Sequence, residues 1–550
     1  MKFKVTPKTK FKIKFTFSFL LFTFICWQTS FAQKEEIKKA EPIFQKGVDA
    51  FKEGKYEEAL KYYNQALKIS DKLGGAYNNR GTTLEKLGRY EEAIKDYQQA
   101  LLTSKKYQAT YYFNVGNCYY GLKDYTKAVK SYNEYIKLDA NNEVVYFNRA
   151  KIAEAAKKYD KALEDYDRVL AINPKFRAAL LARGMLRRNA MMFTESIEDL
   201  TAFVKANSGD ANAFFQRGLT KQDMGDFAGA IIDYSEAINM SPKLTEAIAN
   251  RAAIRLMQEK YEGAIPDLTK LIAADAKNTF ALANRANCFR KLKKYDLAIK
   301  DYDALIVLNP NNVNYWTERG GLKRLSGVAD QALLDFNQAI KLDAKNYQTY
   351  YNRALTYKNL NKFAESLKDY DKAIALTETA LNNEIKPAVA KTKVADKTVK
   401  TKTDKTGTEK VTTPVVAPVL SKTSKSVVTV ELTARLSDYY NNRGYLKNQI
   451  NKSAEALKDL DKAIDLDSTF AYAYNNRALA KLTLNKLPDA LKDCNTAIRL
   501  DAKNAYAYNN LALILFKMGK KTEALAEIEK ALQMMPENQD FVATKAKVSK

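Results

Sequence analysis

The residue types that most often carry catalysis are missing from this 550-residue chain, which contains no histidine. The absence removes the commonest general base, the usual nitrogen ligand of zinc and the side chain that ordinarily titrates near neutral pH. The four cysteines, Cys26, Cys118, Cys288 and Cys494, form no C-x-x-C pair, so neither a metal knuckle nor a redox motif is predicted. The sequence also has no glycine-rich phosphate loop and no Ser/His or Cys/His pairing. We therefore predict a protein that is not an enzyme and holds no metal or cofactor.

Asparagine, arginine and aspartate recur instead, at a fixed spacing. The segment 77–81 reads YNNRG, the segment 440–444 repeats it, and 474–477 reads YNNR. An Asn side chain offers two donors and an acceptor, so it can pair with both the N–H and the C=O of an extended peptide. An Arg and an Asp can form a bidentate ion pair. Both chemistries depend on a scaffold that presents these residues at regular intervals.

That scaffold is a repeat of 34 residues. We number the repeat so that the small residue after an acidic or polar pair is position 20, and we use this residue as the marker of each repeat. Successive markers are 34 residues apart, except for one step of 35 before Ala128 and one interruption after Ser366. The markers are Ala59, Ala93, Ala128, Ala162, Ser196, Ala230, Ala264, Ala298, Ala332, Ser366, Ala456, Ala490 and Ala524. Such a period indicates two helices and two turns per repeat, and neighbouring repeats must stack because none can bury its apolar face alone.

The apolar positions form two helical stripes. Positions 4, 8 and 11 form an i, i+4, i+7 stripe on a first helix, and positions 20, 24 and 27 form one on a second helix. Small residues at positions 8 and 20 allow the two helices to approach closely, and Pro at position 32 of four repeats helps to end the second helix. This pattern resembles the tetratricopeptide repeat family over 40–380 and 437–538. The resemblance implies an all-α fold, a right-handed α-solenoid of about 13 helix-turn-helix repeats whose first helices line a concave groove, interrupted by one insertion.

Position 6 is the predicted peptide-binding position. It is Asn in nine repeats: Asn79, Asn114, Asn148, Asn250, Asn284, Asn352, Asn442, Asn476 and Asn510. At about 100° per residue, position 6 lies roughly 200° from positions 4 and 8, so it should point away from the packed stripe and towards the groove. Asn is a middling helix former, so its recurrence there favours a role, and in the resembled family such an asparagine ladder holds the backbone of bound peptides. The alternative is a harmless polar residue copied by duplication.

Position 7 is Arg in ten repeats, and position 23 on the second helix is Asp in the same ten, so we predict an ion pair between the two helices of each. The pairs are Arg80/Asp96, Arg149/Asp165, Arg183/Asp199, Arg217/Asp233, Arg251/Asp267, Arg285/Asp301, Arg319/Asp335, Arg353/Asp369, Arg443/Asp459 and Arg477/Asp493. The other three repeats lack both residues. These arginines are therefore predicted to be structural and mostly unavailable to ligands.

The resembled family has a second peptide site, a carboxylate clamp that requires Lys at position 5. Position 5 is never Lys in this chain, so binding of chaperone C-terminal tails is not expected. Four repeats carry a basic residue at position 12, namely Arg188, Arg290, Arg324 and Lys358. These side chains could favour acidic ligands, although charge on a solvated face is the simpler interpretation.

The N-terminus has the three parts of a secretory signal peptide. Residues 2–14 carry six lysines and no acid, an apolar run of about 13 residues covers 15–27, and a small-residue pattern ends at Ala32. The run is shorter than the ~20 residues that a membrane-spanning helix needs. We predict a signal peptide at 1–32, cleaved after Ala32, and export to the periplasm or cell envelope. An uncleaved anchor and lipidation at Cys26 are the alternatives.

Cleavage would remove six lysines from the formal charge of +26 and leave +20. It would also leave three cysteines in an oxidising compartment, where we interpret them as small buried hydrophobes. Repeats 1–10 occupy 40–380 and repeats 11–13 occupy 437–538. Residues 381–436 between them are rich in Lys, Thr and Pro and are predicted to be a disordered linker, with a binding tail as the alternative.

A helical pattern should resume after Val427, and residues 539–550 are predicted to form a capping helix. The leading functional hypothesis is a non-catalytic scaffold that holds proteins or extended peptides in its groove. Asparagines would bind the backbone, and aromatic and basic neighbours would select side chains. The alternative is a structural envelope component that binds an anionic polymer or membrane surface through its positive charge. No nucleic-acid partner is expected, because of the predicted export and the lack of a basic aromatic module. No integral membrane span is expected after cleavage.

Overall fold

The computed structural model describes residues 31–103, 105–394 and 420–550, and these residues form helices joined by short turns, with no strand among them. The predicted signal peptide lies outside the described residues except for its last two. The helices are α1 (31–52), α2 (Tyr56–Ile69), α3 (Gly74–Lys86), α4 (Tyr90–Thr103), α5 (Gln108–Gly121), α6 (Tyr125–Leu138), α7 (Glu143–Ala155), α8 (Tyr159–Ile172), α9 (Arg177–Asn189), α10 (Phe193–Ala206), α11 (Ala211–Met224), α12 (Phe227–Met240), α13 (Thr245–Met257), α14 (Tyr261–Ala274), α15 (Thr279–Lys291), α16 (Tyr295–Leu308), α17 (Val313–Leu325), α18 (Ala329–Leu342), α19 (Tyr347–Asn359), α20 (Phe363–Val394), α21 (Leu420–Gln449), α22 (Ser453–Leu466), α23 (Ala471–Thr483), α24 (Leu487–Leu500), α25 (Ala505–Lys517), α26 (Lys521–Met534) and α27 (Gln539–Ser549).

The chain divides into two compact units, the first ending at Ile254 and the second beginning at Arg255. Within each unit, odd-numbered helices are the first helices of the repeats and even-numbered helices are the second. From α2 to α12 and from α14 to α27 each helix packs on the next along the chain, and first helices of adjacent repeats also touch, as α17 touches α19 and α23 touches α25. The predicted all-α solenoid of stacked helical hairpins is therefore confirmed.

Every first helix is followed at position 15 by a residue in the left-handed region. Five of these thirteen residues are glycines with φ of 75–90°, and eight are Lys, Met, Glu or Asn with φ of 56–62°. A left-handed residue directly after a helix is a common helix terminator, and glycine adopts it without strain. The hairpin turn is therefore fixed by backbone geometry even where the sequence does not supply glycine.

Positions 8 and 24 bring the two helices of a repeat into close contact. A Cβ added at Gly81 would lie 2.8 Å from Cε1 of Tyr97, and one added at Gly218 would lie 2.8 Å from Cε1 of Tyr234. Both tyrosines are fully buried. The close approach predicted from the small residues at position 8 is confirmed, whereas position 11 departs from the predicted apolar stripe because six repeats carry Lys or Arg there.

The linker predicted at 381–436 is helical at both edges, and the helix expected to resume after Val427 is present. Helix α20 continues to Val394 and helix α21 begins at Leu420, so only 395–419 lies outside the described residues. The edges are helical because they pack on each other, and Leu381 and Leu436 belong to one apolar cluster. Because the segment is rich in Lys and Thr, these few apolar residues did not stand out as a helical pattern in the sequence.

The predicted helix at the end of the sequence is present as α27, but it is less polar than expected. Phe541 lies 34 residues after Ala507 and Val548 lies 34 residues after Ile514, and both are fully buried. Helix α27 therefore occupies the place of a first helix in a further repeat and packs on α25 and α26. Within the described residues, none of the helices is long and apolar enough to cross a membrane.

Candidate functional site

The asparagines at position 6 lie on a surface that we call the first-helix face, formed by positions 5, 6, 9 and 12 of the first helices. In the first compact unit this face contains two open grooves. One has a volume of about 490 Å³ and is lined by Phe44, Asn78, Asn79 and Tyr107. The Nδ2 of Asn78 donates to Oδ1 of Asn79 at 3.2 Å. An aromatic ring and two amides therefore share one groove.

The second groove has a volume of about 410 Å³ and combines Phe113, Asn117 and Asn148 with Glu85. Asn148 Nδ2 donates to Asn117 Oδ1 at 3.2 Å, which bridges two adjacent first helices. Burial raises the pKa of Glu85, whose carboxylate accepts a hydrogen bond of 2.9 Å from the hydroxyl of Tyr97. The arrangement offers amides for a backbone, a ring for an apolar side chain and a carboxylate for a cation or a donor.

In the last three repeats the asparagines bond to one another. Asn476 Nδ2 donates to Asn441 Oδ1, and Asn510 Nδ2 donates to Asn475 Oδ1, each at 2.8 Å. Each bond joins position 6 of one repeat to position 5 of the preceding one. We call this arrangement the amide ladder. Asn510 is only 5% exposed, so its predicted position on an open groove is wrong, because the neighbouring first helix engages its amide.

The remaining asparagines at position 6 divide into two groups. Asn442 donates to Tyr351 Oη at 3.1 Å and to Asp438 Oδ1 at 2.8 Å, and Asn284 donates to the carbonyl of Phe280 in its own helix at 2.9 Å. Within the described part of the chain, no side-chain hydrogen bond engages the amides of Asn114, Asn250 and Asn352, all of which are half-buried. One register position thus serves different purposes in different repeats.

Nine of the predicted Arg/Asp pairs form bidentate ion pairs, and Arg251 and Asp267 of the tenth pair are both engaged as well. Arg80 Nε and Nη2 donate to the two carboxylate oxygens of Asp96 at 2.7 and 2.6 Å. Arg149 and Asp165 repeat the geometry at 2.8 and 2.6 Å. The same two contacts occur in Arg183/Asp199, Arg217/Asp233, Arg285/Asp301, Arg319/Asp335, Arg353/Asp369, Arg443/Asp459 and Arg477/Asp493.

The sequence interpretation missed a third contact made by each of these arginines. The Nη1 of Arg80 donates to Asn64 Oδ1 at 2.6 Å, on the second helix of the preceding repeat. Arg251, in the pair not described above, makes the same contact with Ser235 at 2.8 Å. The acceptors for all ten arginines are Asn64, Asn133, Asp167, Thr201, Ser235, Thr269, Asp303, Asn337, Asp371 and Asp461. Position 7 therefore fastens repeats to one another as well as the two helices within a repeat.

Position 11 supplies a second cation in six repeats. Lys221 Nζ lies 2.8 Å from Asp233, and Lys481 Nζ lies 2.7 Å from Asp493. Arg187, Arg255, Lys323 and Lys447 do the same in their repeats. The cations at position 11 are therefore used within the protein, in agreement with a structural role for this side of the first helix.

The three described cysteines are free and buried. Burial raises the pKa of the Cys118 thiol to about 12 and that of the Cys288 thiol to about 11. A buried thiol that stays protonated is a poor nucleophile and a poor metal ligand. Among the described residues no group of three or more His, Cys, Asp or Glu side chains is arranged to hold a metal ion.

Stacked helical hairpins with a period of 34 residues define an α-solenoid repeat protein. The chain belongs to the tetratricopeptide repeat family, whose members are non-catalytic protein-interaction modules. Sequence models of the family match residues 49–88, 72–141, 144–176, 211–244, 280–312, 347–379, 437–470, 481–519 and 505–538. These matches fall in both blocks of repeats.

Individual relatives are distant. The chain is 28% identical over 106 residues to Hsp70-Hsp90 organizing protein 1 of Glycine max, a match that covers 19% of this chain and 18% of that protein. It is similar to the structure of YrrB, a TPR protein with an unusual peptide-binding site, at 21% identity over 34% of this chain and 96% of the other, with a TM-score of 0.31. Yeast Tom70 is 17% identical over 87% of this chain and 99% of the other, with a TM-score of 0.33.

Proposed function

We propose that the protein binds extended segments of partner proteins on its first-helix face, with position-6 asparagines holding the peptide backbone. The observation that carries the proposal is that Asn79 and Asn148 each line an open groove beside an aromatic ring at position 5. A ring can receive an apolar side chain while an amide pairs with the adjacent backbone, which is the usual division between affinity and selectivity in peptide recognition.

The proposal is confined to the asparagines whose amides border open space. Asn476 and Asn510 belong to the amide ladder, so they hold neighbouring repeats together and are not assigned to the ligand. Asn79 and Asn148 also have partners within the protein. Asn79 Oδ1 accepts a hydrogen bond from Asn78, and Asn148 Nδ2 donates one to Asn117, each at 3.2 Å. Both asparagines nevertheless border open grooves.

A displayed library of random peptides, selected on the purified full-length chain, tests the proposal. Peptides enriched by the wild type should bind the Asn79→Ala/Asn148→Ala variant about tenfold more weakly, because each lost amide removes one or two hydrogen bonds. A matched control, Asn239→Ala/Asn495→Ala, removes two exposed asparagines on second helices and should bind like the wild type. Equal binding by the wild type and both variants would contradict the asparagine role.

Export to the periplasm or cell envelope remains part of this proposal, supported by the three-part N-terminal pattern that ends at Ala32. The competing proposal is attachment to an anionic polymer or membrane surface through the formal charge of +20 left after cleavage. Salt separates the two. Binding through net charge should fade steeply between low and physiological ionic strength, whereas binding through amides and rings should change little.

A further inference from the structure

Three basic side chains at position 12 in the second compact unit, Arg290, Arg324 and Lys358, lack the carboxylate partner that repeat 5 supplies. Arg290 is exposed and donates to Asn287 Oδ1 at 2.7 Å, whereas Arg324 and Lys358 are half-buried. In repeat 5, Nε of Arg188 donates to Oδ2 of Asp223, at position 13 of the next repeat, at 2.7 Å. The corresponding position-13 residues are Asn359 for Arg324 and Gln449 for Lys358. Neither is a carboxylate. Within the described residues, Arg324 and Lys358 accordingly form no ion pair.

Arg324 is also partly withdrawn from water. Its Nε is inaccessible to solvent and has no hydrogen-bond acceptor among the described residues. The ionisable groups that interact electrostatically with its guanidinium are the tyrosines Tyr351, Tyr370 and Tyr295, and none of them is a carboxylate. Burial lowers the pKa of Arg324. A buried guanidinium whose N–H donors lack acceptors destabilises the folded state, and a ligand that supplies an acceptor removes this cost.

Lys358 is held in a similar setting on the next first helix. Its ammonium lies 4.6 Å from the centre of the Tyr445 ring, and burial lowers the pKa of this lysine as well. A cation over an aromatic face keeps its charge and its remaining N–H donors. Lys358 therefore presents a positioned cation one repeat away from Arg324.

A half-buried carboxylate on the following first helix, that of Asp438, is already engaged. Asp438 accepts hydrogen bonds from the hydroxyl of Tyr351 and from Asn442 Nδ2. Burial raises the pKa of Asp438, and no ion pair links it to Arg324 or Lys358. The two cations thus need an acceptor that does not come from the described chain.

We propose that Arg324 and Lys358 form a subsite for two acidic side chains of a bound peptide, spaced three residues apart. The inference rests on the proposed function and names the ligand chemistry in the second compact unit. Neighbouring helices are about 10 Å apart, and an extended chain advances about 3.3 Å per residue, so one repeat corresponds to about three residues. A guanidinium fork pairs bidentately with a carboxylate, which suits Asp or Glu.

The library selection described above also tests the subsite. Peptides enriched by the wild type should contain two acidic residues three positions apart, and one such peptide is compared with its Glu→Gln version by fluorescence anisotropy. The Arg324→Gln/Lys358→Gln variant should bind the acidic peptide about tenfold more weakly and the Gln peptide no differently, which is the coupling expected of a direct contact. The Lys300→Gln/Lys458→Gln control removes two exposed charges on second helices of the same compact unit and should leave both affinities unchanged.

The possible failures are distinguishable. Equal loss of both peptides in the Arg324→Gln/Lys358→Gln variant would assign these residues to folding and overturn the subsite, and hydrogen exchange in α17 and α19 would show the accompanying destabilisation. Competition by millimolar inorganic phosphate, but not by acetate, would overturn the assignment to carboxylates. Enriched peptides without acidic residues would remove the subsite and leave the asparagine proposal standing. A library from which nothing is enriched would count against both.

Discussion

The ion pairs between positions 7 and 23 predict a difference between repeats that share the same fold. Among the described residues, Arg80 is the only cation bound to Asp96, whereas Asp233 is bound by both Arg217 and Lys221. The two arginines are otherwise matched, because the third contact of each is to a neutral side chain on the preceding repeat. Replacing each arginine by Met therefore isolates the effect of a second cation.

The expected magnitudes follow from burial. Arg80→Met leaves the Asp96 side chain, 7% exposed, with no cation, which should cost roughly 3–5 kcal/mol of local stability. Arg217→Met leaves Asp233 more deeply buried, at 1% exposed, but still paired with Lys221 at 2.8 Å. Only charge-assisted hydrogen bonds are lost there, at about 1.5–3 kcal/mol. Arg217→Met, which affects the less exposed carboxylate of Asp233, should therefore cause the smaller loss of local stability.

Amide hydrogen exchange is the suitable assay, because stacked repeats open locally and a single melting temperature is poorly defined for them. Protection in α3 and α4 reports on Arg80→Met, and protection in α11 and α12 reports on Arg217→Met. The Arg80→Met/Asp96→Asn variant is the control, since removing the charge on both partners should restore most of the lost protection. Equal losses in the two single variants, or a loss below about 1 kcal/mol at Arg80, would refute the reasoning.

Three further outcomes are expected. Asn509 Oδ1 is buried without a donor, and Thr544 occupies the next position 6. Thr544→Asn should therefore donate to Asn509 and extend the amide ladder, which should stabilise α27 by about 0.5–1.5 kcal/mol as measured by hydrogen exchange. Thr544→Val, which has no donor, should not stabilise α27. Met191 has a φ of 61° on the surface, so Met191→Gly should stabilise its hairpin by about 1 kcal/mol in the same assay. Because burial raises the folded-state pKa of Asp438, the stability it contributes is present at acid pH and is lost as pH rises. Asp438→Asn should therefore be more stable than wild type in urea at neutral pH, and a difference that persisted below pH 3.8 would contradict this.

The sequence was sufficient for the repeat, the hairpins and the partners of most arginines. The Arg and Asp positions vary together across repeats, and that joint variation is a direct signal of contact. The acceptor of each arginine on the preceding repeat has an equally regular spacing in the sequence. Sixteen residues before Arg80 lies Asn64, just as Asp96 lies sixteen residues after it, and an oxygen acceptor precedes all but one of the ten arginines at that distance.

The role of each asparagine could not be predicted from register alone. Where position 5 of the preceding repeat is Asn, as at Asn441 and Asn475, it offers an acceptor within reach of the next repeat, and the ladder forms. Where it is Phe113, no acceptor is available there, and Asn148 turns to Asn117 at the border of a groove. The deciding residue lies on a different helix, some 35 residues away, so a rule written for one repeat cannot include it.

Arg443 is the one arginine whose acceptor on the preceding repeat does not lie sixteen residues before it. Its contacts show that the insertion interrupts the sequence without interrupting the stack of repeats. Arg443 donates to Asp371, its acceptor on the preceding repeat, across 72 residues of chain at 2.6 Å, and to Asp459 within its own repeat. The same three-helix contact that joins contiguous repeats thus joins repeats 10 and 11. Because the entropy of closing a loop grows only logarithmically with its length, added chain costs little once that contact is made. The physical unit of this fold is therefore the contact between neighbouring hairpins, and continuity of sequence between them is not required.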